Sequence, residues 1–110
     1  MIVYNVTINV DADVATEWLH WMKTVHIPDV MSTGLFLDNR ICRVLAEEDG
    51  GLTYAIQYTA ADMNTYERYK AEHAPRLQAE TQKHYGGKFV AFRTLLEVVH
   101  SEPAATASEA

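Results

Sequence analysis

The chain is poor in cysteine and in positive charge. Cys42 is the only thiol, so no intrachain disulfide can staple the fold, and its place in a predicted strand marks it as an inert, half-buried thiol. Nine Lys and Arg stand against 15 Asp and Glu, a net charge of -6, and no local basic patch offsets it. Binding to nucleic acid or to an anionic membrane is therefore not expected. No apolar run is long enough to span a bilayer, and the opening MIVYNVTINV has neither a basic leader nor a small-residue cleavage pattern. The cytoplasm is the expected location. Also lacking are His-x-His and Cys-x-x-Cys pairs, a carboxylate cluster, a phosphate loop, a nucleophile elbow and a triad pattern. Neither a metal site nor a cofactor is predicted.

What remains is an ordinary globular composition. The 110 residues are 48% hydrophobic and 22% charged, which suits one domain with a modest core that a partner would help to close. No internal repeat interrupts it.

Three prolines and five glycines punctuate the chain. Ile2 to Val10 alternates, with Tyr4, Val6, Ile8 and Val10 on one side and Val3, Asn5, Thr7 and Asn9 on the other, a strand pattern. Asp11 or Asp13 can cap the helix that follows, whose stripe is Val14, Trp18, Trp21 with Met22, and Val25. Pro28 disfavours helical geometry at Ile27, so this helix should stop near His26 and a short new one should carry Val30 and Met31 up to Gly34. Leu35 to Glu47 reads as a second strand. Asp49-Gly50-Gly51 then turns into a third, Leu52 to Thr59, with Tyr54, Ile56 and Tyr58 on one face. Thr59 to Asp62 resembles a capping box for a second helix bearing Tyr66, Tyr69, His73 and Leu77, which Pro75 should kink or divide and Gly86-Gly87 should end.

The last strand, Lys88 to His100, is apolar on both sides. Val90, Phe92, Leu96 and Val98 take one face; Phe89, Ala91, Leu95 and Val99 take the other, with Arg93 and Glu97 among them. Strand, helix, strand, strand, helix, strand predicts an α+β, ferredoxin-like fold, a four-stranded antiparallel sheet with two helices on one face. The domain covers residues 1–100, and the small, polar tail 101–110 is expected to be disordered. Helices on one side leave Phe89, Leu95 and Val99 bare if their side is the open one. A homodimer through the open sheet face would bury them together with Asn5, Gln57, Arg93 and Glu97.

The segments EWLHWMKTVHIPDVMSTGLF, YAIQY, YERYKAEHAPRLQAE and GGKFVAFRTLLEVV resemble the bacterial family known as domain of unknown function 4286, over about residues 1 to 100. The resemblance implies a ferredoxin-like fold related to dimeric alpha-beta barrels, a group that includes cofactor-independent monooxygenases, stress-response barrels and heme-degrading enzymes. It transfers no catalytic set, and fold alone assigns no chemistry.

The candidate site residues each carry two readings. His26, at the expected end of the first helix, either pairs with free carbonyls or serves as a proton shuttle or ligand donor at the mouth of a pocket lined by Trp18, Trp21, Met22 and Met31. Those four can equally be plain core. Tyr54 and Tyr58 can face Tyr66 and Tyr69 across the core, with hydroxyls directed to a ligand or satisfied internally. Arg93 either forms an internal ion pair with Glu97 or recognises a ligand. His73 and His84 lie about 16 Å apart along a helix, too far for one ion unless the break at Pro75 folds the helix back. Three functions remain open: a dimeric small-molecule-binding module, possible ligands being small apolar or aromatic compounds; a cofactor-independent monooxygenase-like or isomerase-like enzyme acting on an aromatic compound; and a structural or interaction dimer.

Overall fold

The computed structural model describes residues 1–46 and 50–105. Four strands, β1 (Ile2–Val10), β2 (Asp38–Arg43), β3 (Leu52–Ala60) and β4 (Phe89–Glu97), form one antiparallel sheet in the order β2-β3-β1-β4. Strand alternation sets the two faces, as the sequence pattern requires. Tyr4, Val6, Ile8 and Val10 of β1 and Tyr54, Ile56, Tyr58 and Ala60 of β3 are buried under the helices. Register places Asn5 beside Gln57 and Thr94 on the open face, where Gln57 donates to Asn5 Oδ1 at 3.3 Å and Asn5 donates to Thr7 Oγ1 at 3.1 Å.

β4 corrects the expected arrangement. Arg93 pairs with Val6 and Leu95 with Tyr4, so Phe89, Ala91, Arg93, Leu95 and Glu97 lie on the helix side, and the open face carries Val90, Phe92 and Leu96. Both sets of this strand are apolar, so alternation alone does not choose the inward one; pairing with the buried residues of β1 does. Cys42 is likewise exposed rather than half-buried, because β2 is an edge strand and its register with Ala55 puts the thiol on the open face. β2 is also shorter than Leu35 to Glu47, although Leu37 and Val44 extend its hydrogen bonds at both ends; Glu47 and Asp49 lie outside the described residues. Gly51 has φ +64, and a Cβ there would sit 2.3 Å from Asn9 Oδ1, so this position requires glycine.

The first crossover is continuous where a stop was expected. α1 (Ala15–Trp21) widens into a π-helical turn, Met22–His26, and runs on as α2 (Ile27–Met31). Ile27 keeps helical angles despite preceding Pro28, and its N–H bonds to the Met22 carbonyl five residues back. The wide turn shifts the carbonyls that a proline ring would crowd in a regular helix. It also rotates the buried stripe: Trp18, Met22, Ile27 and Val30 are buried while Val25 is 43% exposed. Neither Asp11 nor Asp13 caps α1 by its side chain. The Asp11 carbonyl accepts from Val14 N–H, and Asp13 pairs with Lys88 at 3.2 Å.

The second crossover is α3 (Met63–Glu72) and α4 (Ala74–Tyr85). The cap of α3 is Asp62, accepting from Thr65 N–H at 2.8 Å, rather than Thr59, which remains in β3. The division falls at His73, and Pro75 occupies the first turn of α4, where its missing N–H leaves no bond unmade. Gly86 and Gly87 (φ 82) end α4.

Candidate ligand-binding cavity

The two crossovers do not fill the space above the sheet. A cavity of about 560 Å³ remains between β1, β3 and β4 below and α4 with the π-turn above. Its floor is Val6, Ile8 and Ile56, with Ala91 beside Ile8 on β4. Met22 and Leu77, both nearly fully buried, close the apolar side. The volume lies in the range of small-molecule sites.

The polar groups come from three directions. His26 sits on the π-turn, a distortion that often accompanies functional sites. Its ring stacks on Trp21 at 5.3 Å and its Nδ1 lies 3.3 Å from Thr81 Oγ1 of α4. Burial lowers its pKa to about 4; the Asp29 carboxylate opposes this shift and the Arg93 guanidinium adds to it. The imidazole is therefore neutral at pH 7.

Tyr4, Tyr58 and Tyr69 form the second group. Tyr4 lies 6.0 Å from Tyr58, 5.8 Å from Tyr69 and 5.2 Å from Tyr66 between ring centroids, with Phe36 packed on the same cluster. Burial pushes the Tyr58 phenol well above its ordinary range, and the neighbouring phenols of Tyr69 and Tyr4 push it further. Burial also raises Tyr69 and Tyr66, each reinforced by Tyr4 and opposed by Arg93. The hydroxyls of Tyr58, Tyr66 and Tyr69 are thus neutral.

Arg93 is the third. Its Nε donates to Tyr4 Oη at 3.2 Å, and no ion pair joins it to Glu97 among the described residues, contrary to the pairing expected from sequence. The two residues share a face but stand four positions apart on an extended strand, about 13 Å, beyond contact.

Of the ten residues singled out from sequence, Met22, His26, Tyr58, Tyr69 and Arg93 line the cavity. Tyr66 touches it indirectly through Tyr4, and Trp21 through the His26 ring. Trp18 and Tyr54 form a separate packed pair at 5.1 Å, and Met31 packs against the core outside the cavity. Tyr4, Gln78, Thr81 and Gln82 were not singled out, yet they line it. Tyr4 was legible as an inward residue of β1. Gln78 with Gln82 and Leu77 with Thr81 are four-residue pairs that present α4 to one neighbour.

Solved structures share this architecture. A dimeric ferredoxin-like protein from an uncultured marine organism matches with a TM-score of 0.69 at 14% identity, covering 94% of this chain and 100% of the other. SnoaB from Streptomyces nogalater, a cofactor-independent oxygenase, gives 0.65 at 14% identity, with 94% and 98% covered. A variant of MhuD with two manganese protoporphyrin IX bound per active site gives 0.69 at 17% identity, with 94% and 100% covered. At such identities the likeness concerns the fold, an α+β ferredoxin-like sheet with helices on one side. No curated protein matches the sequence. The family model described as "Domain of unknown function (DUF4286)" matches residues 1–99, and the chain belongs to that family.

Proposed function

We propose that the protein is a homodimeric small-molecule-binding module, holding its ligand between the sheet and the helices of each protomer. The observation that carries this reading is the 560 Å³ cavity, apolar in its floor and supplied with His26, tyrosine hydroxyls and Arg93. A purely structural dimer would have a filled core at this place. The dimer itself is supported by Phe92, 69% exposed, and Val90, 58% exposed, which stand on the face opposite the described helices. The similarity to a dimeric ferredoxin-like protein supports it further.

Amide spectra of the labelled protein, titrated with naphthalene-2-carboxamide as a neutral aromatic probe, test the reading. Shifts should concentrate on Tyr58, on residues 77–82 of α4 and on Ala91. Shifts confined to Thr7 and Ala55 on the open face, or none at all, would overturn it.

A second reading, an oxygenase or isomerase acting on an aromatic compound without a cofactor, is favoured by the neutral His26 in the cavity and by the likeness to SnoaB. A pKa of about 4 makes the free imidazole a weak proton acceptor at neutral pH, where a general base works best near 7. Binding is therefore the better supported reading. If His26→Ala leaves turnover of every accepted aromatic substrate unchanged, His26 has no catalytic part.

A further inference from the structure

We infer that the cavity selects an aromatic carboxylic acid, with the ring against the apolar floor and the carboxylate paired with Arg93. This rests on the ligand-binding reading above. Among the described residues lining the cavity, Arg93 is the only one that carries a formal charge at neutral pH, and no Asp or Glu is present. That absence is notable in a chain with 15 acids to nine bases.

Arg93 is also held and left open at once. The bond from Nε to Tyr4 Oη anchors the guanidinium, and no other hydrogen bond or ion pair engages it among the described residues. Its two Nη groups are thus available as a planar fork, the geometry that matches a carboxylate. Arg93 is exposed while Ile56 and Leu77 are almost fully buried, so charge lies toward the mouth and apolar surface toward the interior. An amphipathic, flat acid satisfies both ends. Asp29 acts on His26 from α2, and Glu97 lies farther along β4; neither lines the cavity to compete for Arg93. His26 is neutral and adds a hydrogen-bonding ring without a second charge.

Calorimetric titration with 2-naphthoate and with naphthalene-2-carboxamide, at pH 7.5 and fixed ionic strength, separates charge from shape. The full chain should bind the acid at least about tenfold more tightly than the amide, as a charge-assisted bond at a partly open site requires. Arg93→Gln should abolish that preference, bringing 2-naphthoate down to the affinity of the amide, with a far-ultraviolet circular dichroism spectrum and urea midpoint like those of the parent showing that the variant is folded. Arg93→Lys should keep part of the preference. Equal affinities in the parent protein, or a preference that survives Arg93→Gln, would overturn the inference and leave the binding reading standing. Failure of both probes to bind would overturn the two together.

Discussion

At the scale of single residues, His26 and Trp18 show opposite consequences of burial. His26 is held neutral, and its folded pKa of about 4 lies below the ordinary 6.5. Between these values the unfolded chain binds more protons than the folded one, so stability rises with pH across this window and is lost as pH falls from 6.5 toward 4. His26→Gln should remove about 2 kcal/mol of the stability difference between pH 7 and pH 5. Urea titrations at the two pH values check this; an unchanged difference would mean that the imidazole is not desolvated. Trp18 is fully buried, and its indole N–H has no hydrogen-bond partner among the described residues. Trp18→Phe loses packing but relieves an unpaired donor, whereas Leu77→Ala leaves only a void. We expect a cost of about 1 kcal/mol for the former and about 3 kcal/mol for the latter. Equal losses in denaturant midpoint, at unchanged slope, would contradict the assignment.

At the scale of elements, the strands were the most legible. Alternation in Ile2–Val10 and Leu52–Ala60 states directly which residues meet the helices. The helical crossovers were legible in place but not in rotation. One π-turn inserts an extra residue, which turns everything after it by about 100° and moves burial from Val25 to Ile27 and Val30. Local sequence does not announce that turn, since Pro28 reads equally as a stop. The cavity inherits the same difficulty: His26 faces Thr81 only because the turn is wide. Residues such as Met22 were identified by type, but the four positions of α4 that meet them depend on how the second crossover lies. Capping at α3 gives a check on element boundaries. Asp62→Ala should lower the melting temperature and Asp62→Asn should largely preserve it, because an amide oxygen can still accept from Thr65 N–H. Thr59→Ala should not reproduce the Asp62→Ala loss, as it would if Thr59 were the cap.

At the scale of the whole molecule, the sheet divides the chain's work. Its helix side surrounds the cavity, and its other side presents a polar ladder with Phe92 and Leu96 at the β4 edge. The register of β4 decides which apolar set serves which side, and it makes Phe92, not Leu95, the residue to change. Phe92→Asp places a charge where the proposed partner sheet would bury it, so it should give a soluble monomer. Light scattering after size exclusion checks this, and a dimer that persists would refute the sheet-to-sheet contact. The cavity lies on the opposite side of the sheet, so the monomer should keep its affinity for naphthalene-2-carboxamide.

Native mass spectrometry of the purified chain, titrated with 2-naphthoate, tests dimerisation and binding in one spectrum. The account predicts twice the mass of the 12.4 kDa chain, with uptake saturating at two ligands, one for each protomer. A bare dimer at saturating ligand would contradict the cavity's proposed role, and a wild-type monomer would contradict the pairing of the open faces.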